Sequence, residues 1–261
     1  MSGRKWVTRV VLTMVALAGL AVVAAVVADR AILVYCRMNL RSPDPARRRR
    51  ELERVSYYHE ARAMPELLNV LATEQDRGLL ELAGRATMRT RDPSGVAPLQ
   101  RRADEEPDDA VRANLIYYAA RLSDRDLRLL DWLTAGARSA EPWRRAGSAA
   151  GLLDLGQPDG GLLLIERAGD VDPAIRAFAL EHLRKTAGPV TETIGRPIAW
   201  PTQSTEPLDE AFLAGARTTW QHYVTVQLLN DVLNRLRYRD PQWYEIGRLA
   251  HARERFAWLF K

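Results

Sequence analysis

The sequence predicts an all-α protein, an α-solenoid of stacked helical hairpins preceded by a membrane-spanning helix. Between residues 141 and 189, small and apolar residues recur at three- and four-residue spacing, and Pro- or Gly-containing turns interrupt each interval. Turns at Pro93, Arg125, Pro158 and Pro189 follow one another at a nearly constant interval, which lies in the range typical of helical repeats. An uncharged apolar run near the N-terminus predicts the membrane helix. The fixed period indicates a repeat protein rather than a domain with a single core.

A second marker keeps the same phase. The pairs Arg112-Ala113, Arg145-Ala146 and Arg176-Ala177 recur, and each Arg precedes its turn by the same interval in the sequence. Two interleaved markers with one period fix the register of three successive units.

These units resemble HEAT repeats, and most closely the bacterial HEAT-like repeats that are also found in phycobilisome lyases. The resemblance rests on residues 172–177 (DPAIRA) with the Leu-rich helix to Leu183, and on residues 149–158 (AAGLLDLGQP). It covers about residues 77–189 and implies a right-handed solenoid. The lyase relatives would imply attachment of a tetrapyrrole, but this chain carries no bilin-specific residue set.

Acidic residues before prolines predict where helices begin. Asp172, Glu141, Glu106 and Asp92 each precede a Pro, so that the carboxylate can accept from free N–H groups while Pro occupies the first helical position. An Arg four residues later, as in Glu141/Arg145 and Asp172/Arg176, can reach the acidic residue of its own or the adjoining repeat. The Arg series is therefore either an architectural ladder or a ligand-binding row.

Composition is that of a folded protein. The 261 residues are 47% hydrophobic and 27% charged, with a net charge of +5 carried almost entirely by Arg. This balance excludes a disordered chain and leaves enough apolar material for a core.

Residues Val10–Ala28 form an uninterrupted run without a charge, preceded by Arg4, Lys5 and Arg9. At about 1.5 Å per residue the run nearly matches a hydrocarbon core of about 30 Å, so we expect a retained single-pass anchor. A signal peptide cleaved after Ala28 is the alternative. The basic tail, residues 1–9, favours an extracytoplasmic repeat domain, whereas the arginines after the run favour a cytoplasmic one.

Residues 29–56 are interpreted as a basic juxtamembrane linker or a solvated first helix. Four consecutive arginines, Arg47, Arg48, Arg49 and Arg50, would circle a helix, and they are candidates for contact with anionic lipid headgroups. Nucleic acid is not expected as a partner. Cys36 is the single cysteine, so an intrachain disulfide is excluded.

The repeats are assigned to residues 57–189. The first helical pair is predicted at 57–73 and 77–90, the second at 96–102 and 110–122, and a further helix at 127–137. The acidic run at 104–109 suits a helix start and lacks the spacing of an EF-hand calcium site.

After the repeats, residues 190–207 are predicted to be a Pro-rich loop, and 208–261 two capping helices. Trp200 in the loop is either a recognition anchor or a residue packed back on the terminal repeat. An apolar stripe at four-residue spacing marks the helix from Leu208 to Arg237, and Asp240-Pro241 precedes the last helix.

No catalytic constellation is evident, so the sequence predicts neither an enzyme nor a cofactor. The four histidines stand on separate predicted helices, and no phosphate loop or nucleophile motif is present. We therefore expect a membrane-anchored scaffold that binds a protein partner, with a lyase-like or other enzyme accessory subunit as the alternative. The candidate partner-binding residues are Arg101, Arg102, Arg128, Trp132, Arg138 and Trp200.

Overall fold

The structure is a computed structural model that describes residues 14, 17–20, 27, 30, 31, 33–123, 127–157, 159–195, 198–202 and 206–238; of the side chains at 127 and 230–238 nothing is described. Helix is the only regular secondary structure in these residues, which confirms the all-α class. The chain divides into two compact units, Met1–Arg167 and Ala168–Lys261.

The structure describes eight α-helices in the first unit after residue 44. They are α1 (Pro45–Tyr58), α2 (Met64–Thr73), α3 (Arg77–Thr90), α4 (Val96–Glu105), α5 (Asp109–Leu122), α6 (Leu127–Ala137), α7 (Pro142–Asp154) and α8 (Asp159–Arg167).

These helices form two rows. In the first row, α1, α3, α5 and α7 each pack on the next, while α2, α4 and α6 form hairpins with α3, α5 and α7. Helix α8 packs on α7, and α2 also contacts α4. We call α2, α4, α6 and α8 the second row.

The turns that lead into the first row share one hydrogen-bonding pattern. The residue two positions before each helix N-cap accepts, through its side chain, the backbone N–H of the N-cap residue. The acceptor and N-cap pairs are Ser42 and Asp44, Glu74 and Asp76, Glu106 and Asp108, and Ser139 and Glu141. These N-caps are almost evenly spaced along the chain, so the repeat period predicted from the turns is present in the helix starts.

Because successive first-row helices run parallel, their ends define two edges of the first unit. At the N-terminal ends, Arg77 forms an ion pair with Asp108 (2.6 Å) and Arg112 with Glu141 (2.6 Å). At the C-terminal ends, Arg121 approaches Asp154 at 3.7 Å. The first end, which carries Asp44, Asp76, Asp108 and Glu141, is called the acidic edge below.

Helix α7 allows an unusually close approach to α5 because its buried face consists of small residues. Residues 146–151 read AGSAAG and are all buried. A Cβ on Gly147 would stand 2.7 Å from the Ala113 Cα and 2.8 Å from its carbonyl oxygen, so only glycine fits at this crossing.

Residues 33–40 are helical and form an antiparallel pair with α1. Asn39 donates to Glu51 (3.4 Å), Arg54 donates to the Cys36 sulfur (2.9 Å), and Cys36 and Leu40 are buried. The described residues of the apolar run, at 14, 17–20 and 27, are also helical; the rest of the predicted span at 10–28 lies outside the described residues.

The first predicted helices have different boundaries in the structure. Residues 45–56 are not a solvated linker, since α1 buries Leu52 and Val55 against the first unit. The helix predicted for 57–73 is interrupted, because His59 adopts a left-handed conformation (φ 54°) and helix resumes at Met64, where Pro65 takes an N-terminal position.

The cap of α5 also differs from the predicted one. Asp108 caps this helix by accepting the Val111 N–H at 3.0 Å. Glu106, the residue before Pro107, instead accepts the N–H of Asp108 itself (3.0 Å). The acidic residue before Pro therefore supports the cap here rather than forming it.

The second unit contains α9 (Pro173–Lys185), α10 (Ala187–Ile194) and α11 (Glu210–Tyr238). Asp172 caps α9 by accepting from the Ala174 N–H (2.8 Å), as predicted. Helix extends to Ile194, past the predicted start of the loop at 190, because Pro189 lies in the first turn of α10. Helices α10 and α11 are in contact, and Trp220 of α11 is fully buried. The predicted last helix after Pro241 lies outside the described residues.

Candidate interaction surface

The recurring arginines clamp the turns in front of their own helices. Each donates to the backbone carbonyl six residues earlier in the chain, and thereby occupies an acceptor that the turn leaves open. The pairs are Arg48 with the Ser42 carbonyl (2.9 Å), Arg112 with Glu106 (2.7 Å), Arg145 with Ser139 (3.1 Å) and Arg176 with Asp170 (2.7 Å). The last pair lies in the second unit.

Two of these arginines also bridge to the next repeat. Arg48 binds Glu74 at 2.9 Å, and Arg112 binds Glu141 at 2.6 Å. The architectural interpretation of the Arg series is therefore the one that these contacts support, although the principal acceptor is a turn carbonyl rather than the acidic cap itself.

One repeat lacks the clamp. Leu80 occupies the position equivalent to Arg112, and the carbonyl six residues earlier, that of Glu74, accepts instead from Arg102 of α4 (3.2 Å). Arg102 also forms an ion pair with Glu106 at 2.9 Å. The side chain of Arg102, a candidate partner-binding residue, therefore stabilises the turn between α2 and α3.

The exposed face of α6 carries the centre of the candidate surface. Arg128, Asp131, Ala135 and the following Arg138 are exposed, whereas Leu129, Leu130 and Leu133 are buried. Trp132 lies between these two groups and is half-buried. Its indole N–H is covered and has no acceptor among the described residues, so the accessible part of the side chain lies elsewhere on the ring system.

Arg101 belongs to the same row of helices, on α4. Its side chain is exposed and forms no ion pair within the described part of the chain. Beside it, Asp104 of α4 binds Arg144 of α7 at 2.9 Å. The second row therefore presents exposed guanidinium groups at Arg101 and Arg138. The guanidinium groups of Arg102 and Arg144 instead bind other groups of the same chain.

Trp200, a further candidate partner-binding residue, lies in the second unit and is buried there. Its indole is only 8% exposed and packs edge-to-face on Phe212, with ring centroids 5.7 Å apart. Arg184 donates to the Pro201 carbonyl (2.9 Å) and fixes the adjacent backbone. The arrangement is that of a residue packed back on its own unit.

The arginine cluster at 47–50 lies at the acidic edge. Arg47, Arg49 and Arg50 are exposed, and Arg48 is occupied by Glu74 and the turn carbonyls. In the antiparallel pair, this end of α1 adjoins residue 41, whereas Tyr57 and Tyr58 lie at the other end of α1, level with residue 33. Headgroup contact by Arg47–Arg50 stays a prediction.

A small polar cluster joins residues 33–40 to α1. Glu51 is buried, accepts from Asn39 and forms an ion pair with Arg54, which also lies over the Tyr35 ring at 5.4 Å. Burial and the neighbouring Glu51 raise the pKa of the Cys36 thiol to about 11. Cys36 is therefore a packed, protonated thiol at neutral pH.

Sequence reasoning missed the side-chain acceptors of the repeated turn. They are Ser42, Glu74, Glu106, Ser139 and Asp170. The signal available in the sequence was a polar residue two positions before each acidic cap. It was overlooked because this residue is Ser in some turns and Glu or Asp in others.

Within the described residues, no cluster of three or more potential metal ligands occurs.

Searches against models of known protein families and against curated proteins find no match to this chain. Within the described part of the chain, no helix has both the length and the apolar character required to cross a bilayer.

Proposed function

We propose that this protein is a membrane-anchored α-solenoid scaffold that binds a protein partner through the exposed face of α6 and its neighbours. The observation that carries the proposal is that the half-buried Trp132 borders the exposed side of α6, one helical turn after the exposed Arg128, while Arg138 is exposed just after the helix. Aromatic rings beside guanidinium groups are favoured at binding hot spots. A partner with acidic or aromatic groups suits this composition.

The repeated turns support the solenoid part of the proposal. Stacked hairpins whose turns share one hydrogen-bonding pattern present equivalent faces along a row, which is how helical repeat proteins build extended binding surfaces. The HEAT-like and right-handed character of the stack is part of the proposal.

The exposure of the apolar run supports the membrane anchor. Met14, Leu17, Leu20 and Val27 are between 60% and 71% exposed, so the described side chains of this run have little protein cover. Large apolar side chains without protein cover indicate a contact with another apolar phase. Retention in membranes after carbonate washing, with an intact N-terminus, tests the anchor; a soluble chain starting at Asp29 would contradict it.

The binding face is tested by photo-crosslinking in intact membranes. A photoreactive amino acid at exposed Ala135 on α6 should crosslink one defined protein, and the same group at exposed Glu53 on α1 should not. Arg128→Glu together with Arg138→Glu should abolish the product. Equal crosslinking from both positions would contradict the assignment, and a tightly bound small molecule in the purified chain would favour an enzyme accessory subunit.

Trp132→Ala provides a second test. Because the indole is half-buried, we expect the substitution to abolish crosslinking while lowering the free energy of unfolding by less than the ~3–5 kcal/mol typical of a fully buried aromatic residue. Thermal unfolding and crosslinking are measured on the same preparation. A stability loss in the full-burial range, or unchanged crosslinking, would show that Trp132 is a packing residue.

A further inference from the structure

Two tyrosines at the C-terminal end of α1 are exposed without an evident packing role. Tyr57 and Tyr58 are 78% and 69% exposed, and their rings form an edge-to-face pair with centroids 5.0 Å apart. Apolar neighbours on the antiparallel helix are exposed as well, namely Val34, Tyr35 and Met38. The result is an aromatic patch on one end of the first hairpin.

The register of the hairpin places this patch level with the first residues of the helix at 33–40. Residue 39 pairs with residue 51, and residue 36 with residue 54, so residue 33 is level with Tyr57. In the sequence, the apolar run ends at Ala28, five residues before residue 33. Tyrosine and tryptophan rings are enriched where a membrane-spanning segment leaves the hydrocarbon core, because the ring is apolar and the hydroxyl stays hydrated.

The part of this edge that follows the tyrosines is basic. Counted from the helix N-caps, Tyr57 in α1, Arg89 in α3, Arg121 in α5 and Asp154 in α7 occupy the same position, so these residues lie at one edge of the first row, where Asp154 pairs with Arg121. Arg89 and the following Arg91 are exposed and form no ion pair with the described residues. We call Tyr57, Tyr58, Arg89 and Arg91 the aromatic edge. The acidic N-caps lie at the opposite edge, where they avoid an anionic bilayer.

We propose that the aromatic edge rests on the lipid headgroups, so that the first unit is held against the bilayer in a fixed orientation with the acidic edge pointing away. The inference rests on the proposed membrane anchor. It replaces the arginine cluster at 47–50 by the opposite end of the same hairpin as the lipid contact.

The two ends of α3 supply a matched pair of reporters. Ser94 is exposed in the turn after α3, at the aromatic edge, and Gln75 is exposed in the turn before it, at the acidic edge. A 14-residue helix separates them by about 20 Å, several times the thickness of one headgroup layer. Ser94→Cys and Gln75→Cys can be labelled selectively because Cys36 is buried and stays protonated.

The experiment uses the full chain in vesicles that contain an anionic lipid and a lipid with a spin-labelled headgroup. We expect strong quenching of a fluorophore at residue 94 and no quenching at residue 75. Adding Tyr57→Ser and Tyr58→Ser should abolish the quenching at residue 94 without releasing the chain from the vesicles. Both tyrosines are exposed, so the substitutions leave the core unchanged.

The outcomes separate the two proposals. A chain that floats with vesicles but shows equal quenching at residues 75 and 94, or no quenching at either, overturns the orientation and leaves the anchor intact. Quenching at residue 94 that survives both serine substitutions overturns the role of the tyrosines. A chain that does not float overturns the anchor and the orientation together.

Discussion

Arg112 uses all three nitrogens of its guanidinium group in polar contacts, and its truncation should destabilise the first unit. Its guanidinium donates twice to the Glu106 carbonyl, from Nε at 3.0 Å and from Nη2 at 2.7 Å, and binds Glu141 at 2.6 Å and Asp109 at 3.1 Å. Arg112→Met keeps the aliphatic stem but removes every one of these donors.

The magnitude follows from the environment of each contact. Hydrogen bonds from a charged donor contribute about 1.5–3 kcal/mol, whereas ion pairs with half-exposed carboxylates such as Glu141 contribute about 0–1 kcal/mol. The two donations share one acceptor, so we expect a total loss of about 2–4 kcal/mol. For a chain of this size, about 3 kcal/mol lowers the Tm by roughly 6–12 °C.

Urea and thermal unfolding of the full chain in detergent, followed by circular dichroism, measure this loss. Arg85→Met on α3 is the matched control, because Arg85 is exposed and makes no ion pair in the described part of the chain; its effect should stay within ~0.5 kcal/mol. Arg112→Lys should fall between the two, since an ammonium group cannot reproduce the planar fork. Equal losses for Arg112→Met and Arg85→Met would refute the clamp as a source of stability.

Two further predictions concern packing and titration. Gly147→Ala should lower the free energy of unfolding by about 1–3 kcal/mol, because the new Cβ meets the Ala113 backbone at 2.7 Å. Gly215→Ala on α11, where nothing lies within 4 Å of the new Cβ, should raise it by roughly 0.5–1 kcal/mol. Urea unfolding compares the two variants, and a change of the same sign in both would contradict the close approach of α5 and α7. Cys36 should react with maleimide at pH 8 only after the chain is unfolded, and rapid labelling of the folded chain would contradict its burial. Because the pKa of the folded thiol, about 11, exceeds its ordinary value, the contribution of Cys36 to stability should be complete at neutral pH and should decline as the pH rises from about 9 to about 11.

The sequence was most informative where one residue type determines a local structure. Asp172-Pro173 and the limits Leu127–Ala137 were predicted correctly, because an acidic cap, a Pro and an apolar stripe act within a single turn of helix. The helix Arg77–Thr90 was also predicted with its observed limits, although its start has neither Pro after the cap nor the recurring Arg, since Arg77 and Leu80 occupy those positions.

The four arginines of α1 were misleading for a related reason. A run of charges around a helix indicates solvent on all sides, yet Leu52 and Val55 suffice to bury one stripe, and Glu74, which belongs to the next repeat, removes Arg48 from solvent. Such pairing depends on the stacking of repeats and cannot be inferred from neighbours in sequence. The same holds for Arg102. The sequence suggests that it could bind a partner, but its side chain donates a hydrogen bond to the Glu74 carbonyl of the preceding hairpin.

One turn is held by Arg102 of a neighbouring helix instead of an arginine of its own repeat, and this limits which repeats can be duplicated or deleted. A repeat that carries its own arginine, such as the one beginning at Asp108, holds its turn with residues from its own segment and could be duplicated or excised as a module. The repeat beginning at Asp76 borrows its arginine from α4, the helix that follows it. The hairpin of α2 and α3 therefore depends on α4, and a deletion that starts between Thr90 and Val96 and removes α4 would leave the Glu74 carbonyl without this donor.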